Sequence, residues 1–397
     1  MSFNVSRVLV VGIALVAVCG TVRESVYAQQ TVFNRVYIPD SSIEKPGDVG
    51  VVAHTNHQIL VNPQGGLGVS GGMTPAQIKS FYNMPSTGGG GLIAIIDAYD
   101  YPAALPDFNT FSAEFGLPKE PSANAAAASN KVFEVVYQGG IRPKATNLGW
   151  NQEAALDIQW AHAMAPNAKI VLVEAESSST SDLFAAIDQA TTFGNIKQIS
   201  MSWGSSEIYS ETALDSHFNI NGPEFFAAAG DTSGQVLYPA VSPYVVAVGG
   251  THVNTNRAGA FTSETGWTSG GGGNSRYEPK PSWQVDVANT GPRRSVPDIS
   301  CDGDPNTGIC VYAPVNSRGS GWMVVGGTSA ATACMAGMAN LSGSNFNSTT
   351  YMLANIYSFI GSAHLRDITS GNNGWYQCLV GWDFITGVGV PLGTQSL

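Results

Sequence analysis

Charged side chains are scarce in this chain of 397 residues: Asp, Glu, Lys and Arg together make up 12% of it, whereas hydrophobic residues make up 43%. The charge is also unbalanced, with 29 acidic against 18 basic residues and a formal net charge of −11. Because phosphate groups bind to basic patches, this balance argues against a nucleic-acid partner. The length and apolar content are sufficient for one large α/β domain plus additional segments.

Cysteine is also rare, with five residues in the whole chain and no pair at the CxxC spacing of a structural zinc site. Cys19 lies in an N-terminal apolar run, which leaves an even number of cysteines that would be compatible with disulfides in an exported protein. Cys301 and Cys310 flank the turn-rich stretch DGDPNTGI and could close it as a disulfide, whereas Cys334 falls in a small-residue helix pattern and is interpreted as a buried thiol.

Apolar runs of the ~20 residues needed to span a bilayer are absent. The apolar run from Val8 to about Gly20 follows Arg7 and precedes Val26-Tyr27-Ala28, which is typical of a secretory signal peptide cut after Ala28. We therefore expect residues 1–28 to be a signal peptide and the mature protein to be extracellular, with no membrane contact after cleavage. Residues 29–72 are expected to form a short N-terminal extension or a reduced pro-segment.

Nucleotide-binding motifs are missing as well. Glycines 88–91 precede the strand pattern LIAIID instead of following it, and there is no GxxxxGK[ST] motif. From residue 73 onward, buried-strand patterns alternate with helix patterns, as in KVFEVVY, QEAALDIQWAHAM, KIVLVEA, SDLFAAIDQATTF and IKQISMSW. This alternation predicts an α/β fold with a mainly parallel central sheet and helices on both faces, whose ligands bind beyond the carboxyl ends of the strands.

The stretch NQEAALDIQWAHAMAP, residues 151–166, contains two carboxylates within an otherwise apolar helix pattern. Glu153 and Asp157 are four residues apart and therefore share one helix face. A solvated face is the usual explanation for such charges, but apolar residues flank both positions. Burial with mutual repulsion favours one proton shared between the two carboxyls, which makes a base that still functions in acid.

Two further residues complete a candidate catalytic group. Ser329 lies in GGTSAAT, a glycine-rich turn into a helix, where backbone N–H groups can hold an anion and where the alternative is a plain helix cap. Asp231 follows the strand pattern EFFAAAG at the carboxyl edge of the predicted sheet. A protonated carboxyl there could donate a hydrogen bond to an oxyanion, although an Asx turn is an equally good interpretation.

Taken together, the chain resembles the sedolisin family of serine-carboxyl peptidases, which have a subtilisin-like fold. The resemblance covers most of residues 73–397 and rests on motifs that follow the family order: TPAQIKSFY, IAIIDAYD, QEAALDIQWAHAMAPNAKI, QISMSWGSSE, AAAGDTSG, YPAVSPYVVAVGGT, GGGGNSRYEPKPSWQ, VPDIS, GGTSAA and RDITSG…GWDFITGVGVP. It implies that Ser329 is the nucleophile, Glu153 the general base that Asp157 orients, and Asp231 the oxyanion stabiliser. Asp97 and Trp203 match residues that support this network.

The resemblance also implies one structural Ca²⁺ ion in C-terminal loops of the catalytic domain, residues 73–397. Its ligands would be the carboxylates of Asp367 and Asp383 and the main-chain carbonyls of Ile368, Leu379 and Gly381, an all-oxygen set that suits calcium. Leu379 stands where the family usually has glycine, and Ala333 where it usually has proline. Members of the family typically carry a large folded pro-domain, for which residues 29–72 are too short.

Two alternative functions compete with an acid peptidase, which would act as a monomer on protein or peptide substrates. A subtilisin-type Asp–His–Ser protease would use Asp97 and Ser329, but no histidine has a suitable sequence context. His162, nine residues after Glu153, faces ~180° away from it on an ideal helix and is expected to be a hydrogen-bonded, partly buried side chain. The second alternative is an inactive binding protein on the same fold, against which the joint retention of Glu153, Asp157, Asp231 and Ser329 argues.

Overall fold

The computed structural model describes residues 36–61, 69–316 and 318–397, so the predicted signal peptide lies outside the described residues. The strands of these ranges are, in chain order, β1 (Val36–Tyr37), β2 (His54–Thr55), β3 (Gln58–Leu60), β4 (Leu92–Ala98), β5 (Phe133–Tyr137), β6 (Lys169–Ala175), β7 (Ile196–Met201), β8 (Trp203–Ser206), β9 (Glu224–Ala228), β10 (Leu237–Tyr238), β11 (Val246–Thr255), β12 (Phe261–Gly266), β13 (Gly273–Pro279), β14 (Arg293–Val296), β15 (Ile299–Asp302), β16 (Ile309–Asn316), β17 (Gly319–Gly326), β18 (Leu365–Arg366) and β19 (Val390–Pro391).

The α-helices of the same ranges follow the apolar patterns of the sequence. They are α1 (Pro75–Phe81), α2 (Ala104–Glu114), α3 (Leu148–Met164), α4 (Thr180–Thr191), α5 (Thr328–Ser342) and α6 (Thr349–Ser358). The pattern SETALDSHF, which predicts a helix, forms 3-10 turns over Glu211–His217 instead. No helix of the described residues is long and apolar enough to cross a membrane.

The central sheet has the strand order β12-β11-β9-β7-β4-β6-β5, and β15 pairs with the far part of β11. All of its pairings are parallel except that of β11 with β12. The predicted mainly parallel sheet is therefore confirmed. Because β9, β7 and β4 are neighbours, the residues that follow their carboxyl ends meet at one edge of the sheet.

Helices cover both faces of this sheet, as predicted. Successive residues of β4 point to opposite faces, so Ile93 and Ile95 join the hydrophobic cluster that contains α3 and α5, whereas Ala94 and Ile96 join the cluster that contains α4. Helices α3 and α5 pack closely because Gly337 of α5 has room for no side chain: a Cβ atom there would lie 2.6 Å from Met164 Cβ.

Residues 36–61 are part of the folded domain and supply strands to two smaller sheets. Strands β1 and β3 extend the β16–β17 hairpin into a four-stranded sheet in the order β1-β3-β17-β16. Strand β2 pairs with β8, which directly follows β7 of the central sheet. This N-terminal segment therefore passes over the carboxyl edge of the central sheet, where the predicted catalytic residues lie.

The predicted Cys301–Cys310 disulfide is wrong, since both cysteines are free thiols in the structure. Cys301 lies on β15 beside the central sheet, next to Cys334, whereas Cys310 lies on β16 of the other sheet. The Cys310 thiol instead donates a hydrogen bond to the carbonyl of Val69, 3.0 Å away. The turn-rich loop between the two cysteines separates two sheets, so their side chains point to different surroundings.

Candidate active site

Ser329 lies at a strand–turn–helix junction, as the sequence predicts. Strand β17 ends at Gly326, and Gly327 turns the chain with a φ of +110°, which glycine adopts without strain. Helix α5 then begins at Thr328, so Ser329 occupies its first turn, where the Thr328 N–H donates to Asp231 Oδ1 and the Ser329 N–H donates to the Asn56 carbonyl. The hydroxyl of Ser329 is buried and donates to the carbonyl of Ser202 at 3.1 Å.

Glu153 and Asp157 lie on the face of α3 that the sequence predicts to be buried, and both side chains are fully enclosed. The helix begins after Asn147, whose side chain accepts a hydrogen bond from the Trp150 N–H. Asp157 Oδ1 accepts a hydrogen bond from the Ser202 hydroxyl at 2.8 Å. Ser202 is therefore a link between the acidic helix and the serine, because its carbonyl also accepts from Ser329.

Burial dominates the electrostatics of these carboxyls. It raises the pKa of Glu153 well above its usual value, and the Ser329 side chain and the Asn56 backbone act in the opposite direction. Burial, followed by the charge of Glu153, raises the pKa of Asp157 as well. Among the described residues, Glu153 Oε1 and Asp157 Oδ2 have no hydrogen-bond partner, and Glu153 Oε2 lies 2.9 Å from His57 Nδ1. The pair therefore retains protons into the range where ordinary carboxyls are ionised.

Asp97 lies near the carboxyl end of strand β4, beside Asp157 and Glu153. Its carboxyl is 1% exposed, and burial followed by the charges of Asp157, Glu153 and Glu174 raises its pKa well above the usual value. Trp203 covers this region from β8, since its indole N–H donates to the Ile96 carbonyl at 2.8 Å. Both predicted supporting residues thus lie beside the Glu153–Asp157 pair.

Asp231 follows β9 through Ala229 and Gly230 and faces the start of α5. Its Oδ1 accepts hydrogen bonds from the Thr328 N–H at 2.8 Å and from the Thr328 hydroxyl at 2.9 Å. Its Oδ2 is buried, has no partner among the described residues, and lies beside Gly327. Burial raises the pKa of Asp231 to about 7, so this carboxyl is protonated in acid and can donate a hydrogen bond to an oxyanion.

His57 is the residue that the sequence reasoning missed. Its ring is fully buried, and Nδ1 lies 2.9 Å from Glu153 Oε2, although the two residues are 96 positions apart. No local motif marks His57, so only the pairings of β2 with β8 and of β3 with β17 bring it to the site. Its Nε2 has no partner, and Ser329 bonds to Ser202, so the chain of contacts of a Ser–His–acid triad is not formed.

His162 behaves as the helix geometry predicts. Its Nε2 lies 2.9 Å from the Pro118 carbonyl, and its ring packs against Phe108 with centroids 4.7 Å apart. The side chain is fully buried, more so than predicted, and burial lowers its pKa to about 4. It belongs to the core and has no contact with Ser329.

The predicted calcium ligands lie in neighbouring C-terminal loops. Asp367 Oδ2 accepts from the Gly381 N–H at 2.9 Å, and Asp383 Oδ2 accepts from the Leu379 N–H at 3.2 Å. Asp383 also binds the N–H groups of Ile385 and Thr386, whereas Asp367 Oδ1 is buried without a partner among the described residues. No cluster of three or more His, Cys, Asp or Glu side chains suited to a metal occurs in the described ranges. A calcium ion here would therefore depend on main-chain carbonyls, including that of Ile368.

Comparison with known proteins agrees with this geometry. The model of the subtilase family matches residues 144–358, which include Glu153, Asp157, Asp231 and Ser329. The chain therefore belongs to the subtilase family. Its mainly parallel sheet and the serine at the start of α5 agree with this assignment. Within it, the resemblance to the sedolisins is confirmed by relatives in sequence and in structure.

Two curated relatives match over most of the chain. Sedolisin from Pseudomonas sp. (strain 101) is 28% identical over 364 residues, which is 81% of this chain and 60% of that protein. Kumamolisin from Bacillus sp. (strain MN-32) is 32% identical over 369 residues, which is 82% of this chain and 63% of that protein. The chain thus spans about three fifths of the length of these relatives.

Solved structures show the same fold. Pseudomonas sedolisin, a serine-carboxyl proteinase solved with two molecules of pseudo-iodotyrostatin, is 28% identical with a TM-score of 0.65 and covers 81% of this chain and 95% of its own. Sphericase, at 20% identity and a TM-score of 0.50, covers 83% of this chain and 97% of its own, and supports the fold alone.

Proposed function

We propose that this chain is a secreted serine-carboxyl peptidase that hydrolyses peptide bonds of proteins at acidic pH. The observation that carries the proposal is the convergence of Ser329, a buried carboxyl pair and the unpartnered Oδ2 of Asp231 at one edge of the sheet. Similarity to sedolisin and kumamolisin supports the same class of reaction. The retained signal-peptide pattern of residues 1–28 supports secretion.

The chemistry follows from the roles that these groups can take. Glu153 accepts the Ser329 proton as Oγ attacks the peptide carbonyl. Asp157, on the same helix face, orients Glu153 and shares a proton with it. The Ser329 N–H and the protonated Asp231 stabilise the oxyanion. Glu153 then protonates the leaving amine, and water hydrolyses the acyl-enzyme by the same steps in reverse order.

The protonation state that Asp231 requires supports activity at acidic pH. It can donate to an oxyanion only when protonated, and its pKa of about 7 means that it is protonated in acid and loses its proton above neutrality. A histidine base would have the opposite pH dependence, because imidazolium cannot accept a proton.

One structural Ca²⁺ ion in the C-terminal loops is part of the proposal. The carboxylates of Asp367 and Asp383 contact the same loop, residues 379–381, Asp367 Oδ1 has no partner among the described residues, and the expected ligands are all oxygen atoms. We expect a lower melting temperature in a chelator and its recovery with Ca²⁺ in the parent chain, and no such response in Asp367→Ala. Equal melting temperatures with chelator and with Ca²⁺ would contradict the proposed calcium site.

The experiment that tests the peptidase is covalent capture of the serine. A fluorescent peptide aldehyde forms a hemiacetal with an activated serine hydroxyl, so it should label the parent protein in acid and block hydrolysis of a denatured protein substrate. Ser329→Ala should neither hydrolyse nor be labelled, while Ser342→Ala, at the far end of α5, should match the parent. Hydrolysis that persists in Ser329→Ala would assign the activity to other residues or to a contaminant.

A further inference from the structure

An exposed aromatic side chain lies beside the loop that carries Asp231. Trp375 is 75% exposed, although an aromatic ring gains more from burial than most side chains do. Its ring lies against the backbone of Gly234, where a Cβ atom would be 2.9 Å from Cγ and 3.0 Å from Cδ2 of the indole. Gly234 has a φ of +74°, so glycine provides both the turn and the close contact. Most of the indole surface is left free to contact a ligand.

Hydrogen bonds hold the segment of Trp375 in place. The side chain of Asn373, 7% exposed, accepts the Trp375 N–H at 3.1 Å and donates to the Gly270 carbonyl at 2.9 Å. The next residue, Gly271, donates its N–H to the Gly230 carbonyl at 2.8 Å. The indole is thus connected to the residue that precedes the oxyanion aspartate. Because this segment is already ordered, a ligand that binds to the ring loses little affinity to ordering it.

The loop beneath the indole flanks one particular side of the cleft. It leads from the oxyanion site to the end of β8, where Gln235 Nε2 donates to Ser206 Oγ at 3.1 Å. The main chain that reaches the Ser329 N–H runs antiparallel to β8, with Thr55 opposite Trp203. An extended peptide bound in the same direction places the residues before its scissile bond, its acyl side, along β8. The indole therefore lies on the acyl side of the serine.

Two further aromatic rings belong to the same end of β8. Tyr209, 85% exposed, lies three residues beyond Ser206, and its ring meets that of Tyr277 edge-on with centroids 6.0 Å apart. The Glu207 carboxylate connects the two segments, since it accepts the Arg276 N–H at 3.1 Å. Three segments of the chain thus present aromatic rings around this strand end, which favours apolar ligands.

We propose that Trp375 is a specificity-determining residue, whose ring binds an aromatic or large aliphatic substrate side chain among the four residues before the scissile bond, as many as β8 has. The inference rests on the proposed peptidase function and names its substrate class. We expect the contact to contribute about tenfold, or about 1.4 kcal/mol. Because the ring contacts the substrate equally before and during the reaction, its loss should raise KM and leave kcat unchanged.

The test uses internally quenched alanine peptides that carry one phenylalanine, placed in turn at each of four positions on either side of the scissile bond. The products are identified by mass. The parent should hydrolyse the best acyl-side peptide in acid with kcat/KM at least about tenfold above that of the all-alanine peptide. Trp375→Ala should lose this preference through KM and keep its kcat and its melting temperature, since the ring is exposed.

Two variants serve as controls. Trp375→Phe keeps an aromatic ring and should keep most of the preference. Tyr351→Ala removes an equally exposed ring from α6 and should match the parent. Helix α6 begins at the opposite edge of the sheet, where the Thr349 hydroxyl accepts the Phe225 N–H of β9 at 3.0 Å.

The outcomes separate this inference from the peptidase function. A phenylalanine preference that survives in Trp375→Ala, or that occurs only after the scissile bond, would overturn the inference and leave the function intact. A preference for lysine that Trp375→Ala abolishes would also overturn it, because the indole would then bind a cation. Absence of hydrolysis of every peptide by the parent would refute the peptidase function and this inference with it.

Binding without hydrolysis gives a second measurement. Ser329→Ala and Ser329→Ala/Trp375→Ala are titrated with the best phenylalanine peptide and with the all-alanine peptide. The Kd of the phenylalanine peptide should be about tenfold higher for the double variant, whereas the all-alanine peptide should bind equally to both. The ratio should be the same at about pH 3 and about pH 5, because neither ring titrates. Equal Kd values of the phenylalanine peptide for the two proteins would overturn the inference.

Discussion

Two buried aspartates of this molecule, Asp157 and Asp298, are both fully enclosed but are stabilised in opposite ways. Asp298 receives both terminal nitrogens of Arg294 at 2.6 Å each, together with the Tyr357 hydroxyl and the Ala247 N–H. Asp157 receives one hydroxyl, from Ser202, and faces the acidic Glu153. The carboxylate of Asp298 is bound to a guanidinium and holds structure together, whereas burial beside Glu153 raises the pKa of Asp157, so that this carboxyl retains a proton that it can exchange.

The largest effect is expected from replacing the carboxyl of Glu153. Glu153→Gln keeps the shape of the side chain but cannot accept the serine proton, so kcat should fall by about 10³-fold or more. The melting temperature should be unchanged or higher, because an amide is not penalised by burial as a carboxylate is. Glu176→Gln makes the same chemical change at an exposed position and should alter neither kcat nor the melting temperature. Comparable kcat in both variants would contradict the role of Glu153.

The same kind of change at Asp298 should instead cost stability. Asp298→Asn leaves the Arg294 guanidinium buried with a neutral partner, and breaking a buried ion pair costs about 3–5 kcal/mol of the free energy of unfolding. Urea denaturation measures this. Asp188→Asn, at a half-exposed site beside His217, should cost at most about 1 kcal/mol. If both variants lost equally little, the contrast between paired and unpaired carboxyls would not hold.

Asp231 sharpens the comparison because it combines a bonded oxygen with a free one. Asp231→Ala should lower kcat by about 10²–10³-fold, since an oxyanion donor is lost. Asp231→Asn should lose less, because its amide can donate from the position of Oδ2. The amide donates at every pH, so activity in Asp231→Asn should persist above pH 7, where the parent loses it. An unchanged alkaline limb in Asp231→Asn would show that another group sets it.

The smallest effect concerns stability against pH. Burial raises the pKa of Glu278 to about 8 and that of Glu211 to about 9, each helped by neighbouring carboxyls. The folded state therefore binds these protons more tightly than the unfolded state does. Their contribution is fully present below about pH 4.5 and is lost as pH rises towards 8–9, by up to ~1.4 kcal/mol per pH unit for each group.

Melting temperatures of Ser329→Ala, which cannot digest itself, would measure this trend between acid and neutral pH. They should fall as pH rises, and Glu278→Gln should make the decline shallower. Melting temperatures that rise over this interval would mean that other groups dominate the pH dependence instead.

The parts of the site that could be predicted are those marked by a pattern within one short segment of the sequence. The apolar spacing of α3 placed Glu153 and Asp157 on a buried face, and the glycines before Ser329 indicated the turn into α5. The supporting role of Asp97 was implied by the resemblance to the sedolisins, whereas the position of Asp231 followed from the rule that the carboxyl ends of neighbouring parallel strands share an edge. Each of these inferences depends on fewer than about twenty consecutive residues plus one rule of topology.

The parts that were not predictable depend on contacts between distant segments. The contact of His57 with Glu153 joins residues 96 positions apart through strands of two and three residues, which are too short to show a period. Cys301 and Cys310 are close in the chain, yet the loop between them connects two different sheets, so proximity suggested a bond that the fold does not form.

The most direct test of the account is the pH dependence of kcat/KM for a short peptide, measured from about pH 2 to 9. The account predicts an optimum in acid, with activity lost above about pH 7 as Asp231 loses its proton. An optimum at neutral or alkaline pH, abolished by His57→Ala, would contradict it, since the base would then be a histidine and the buried carboxyl pair only its support.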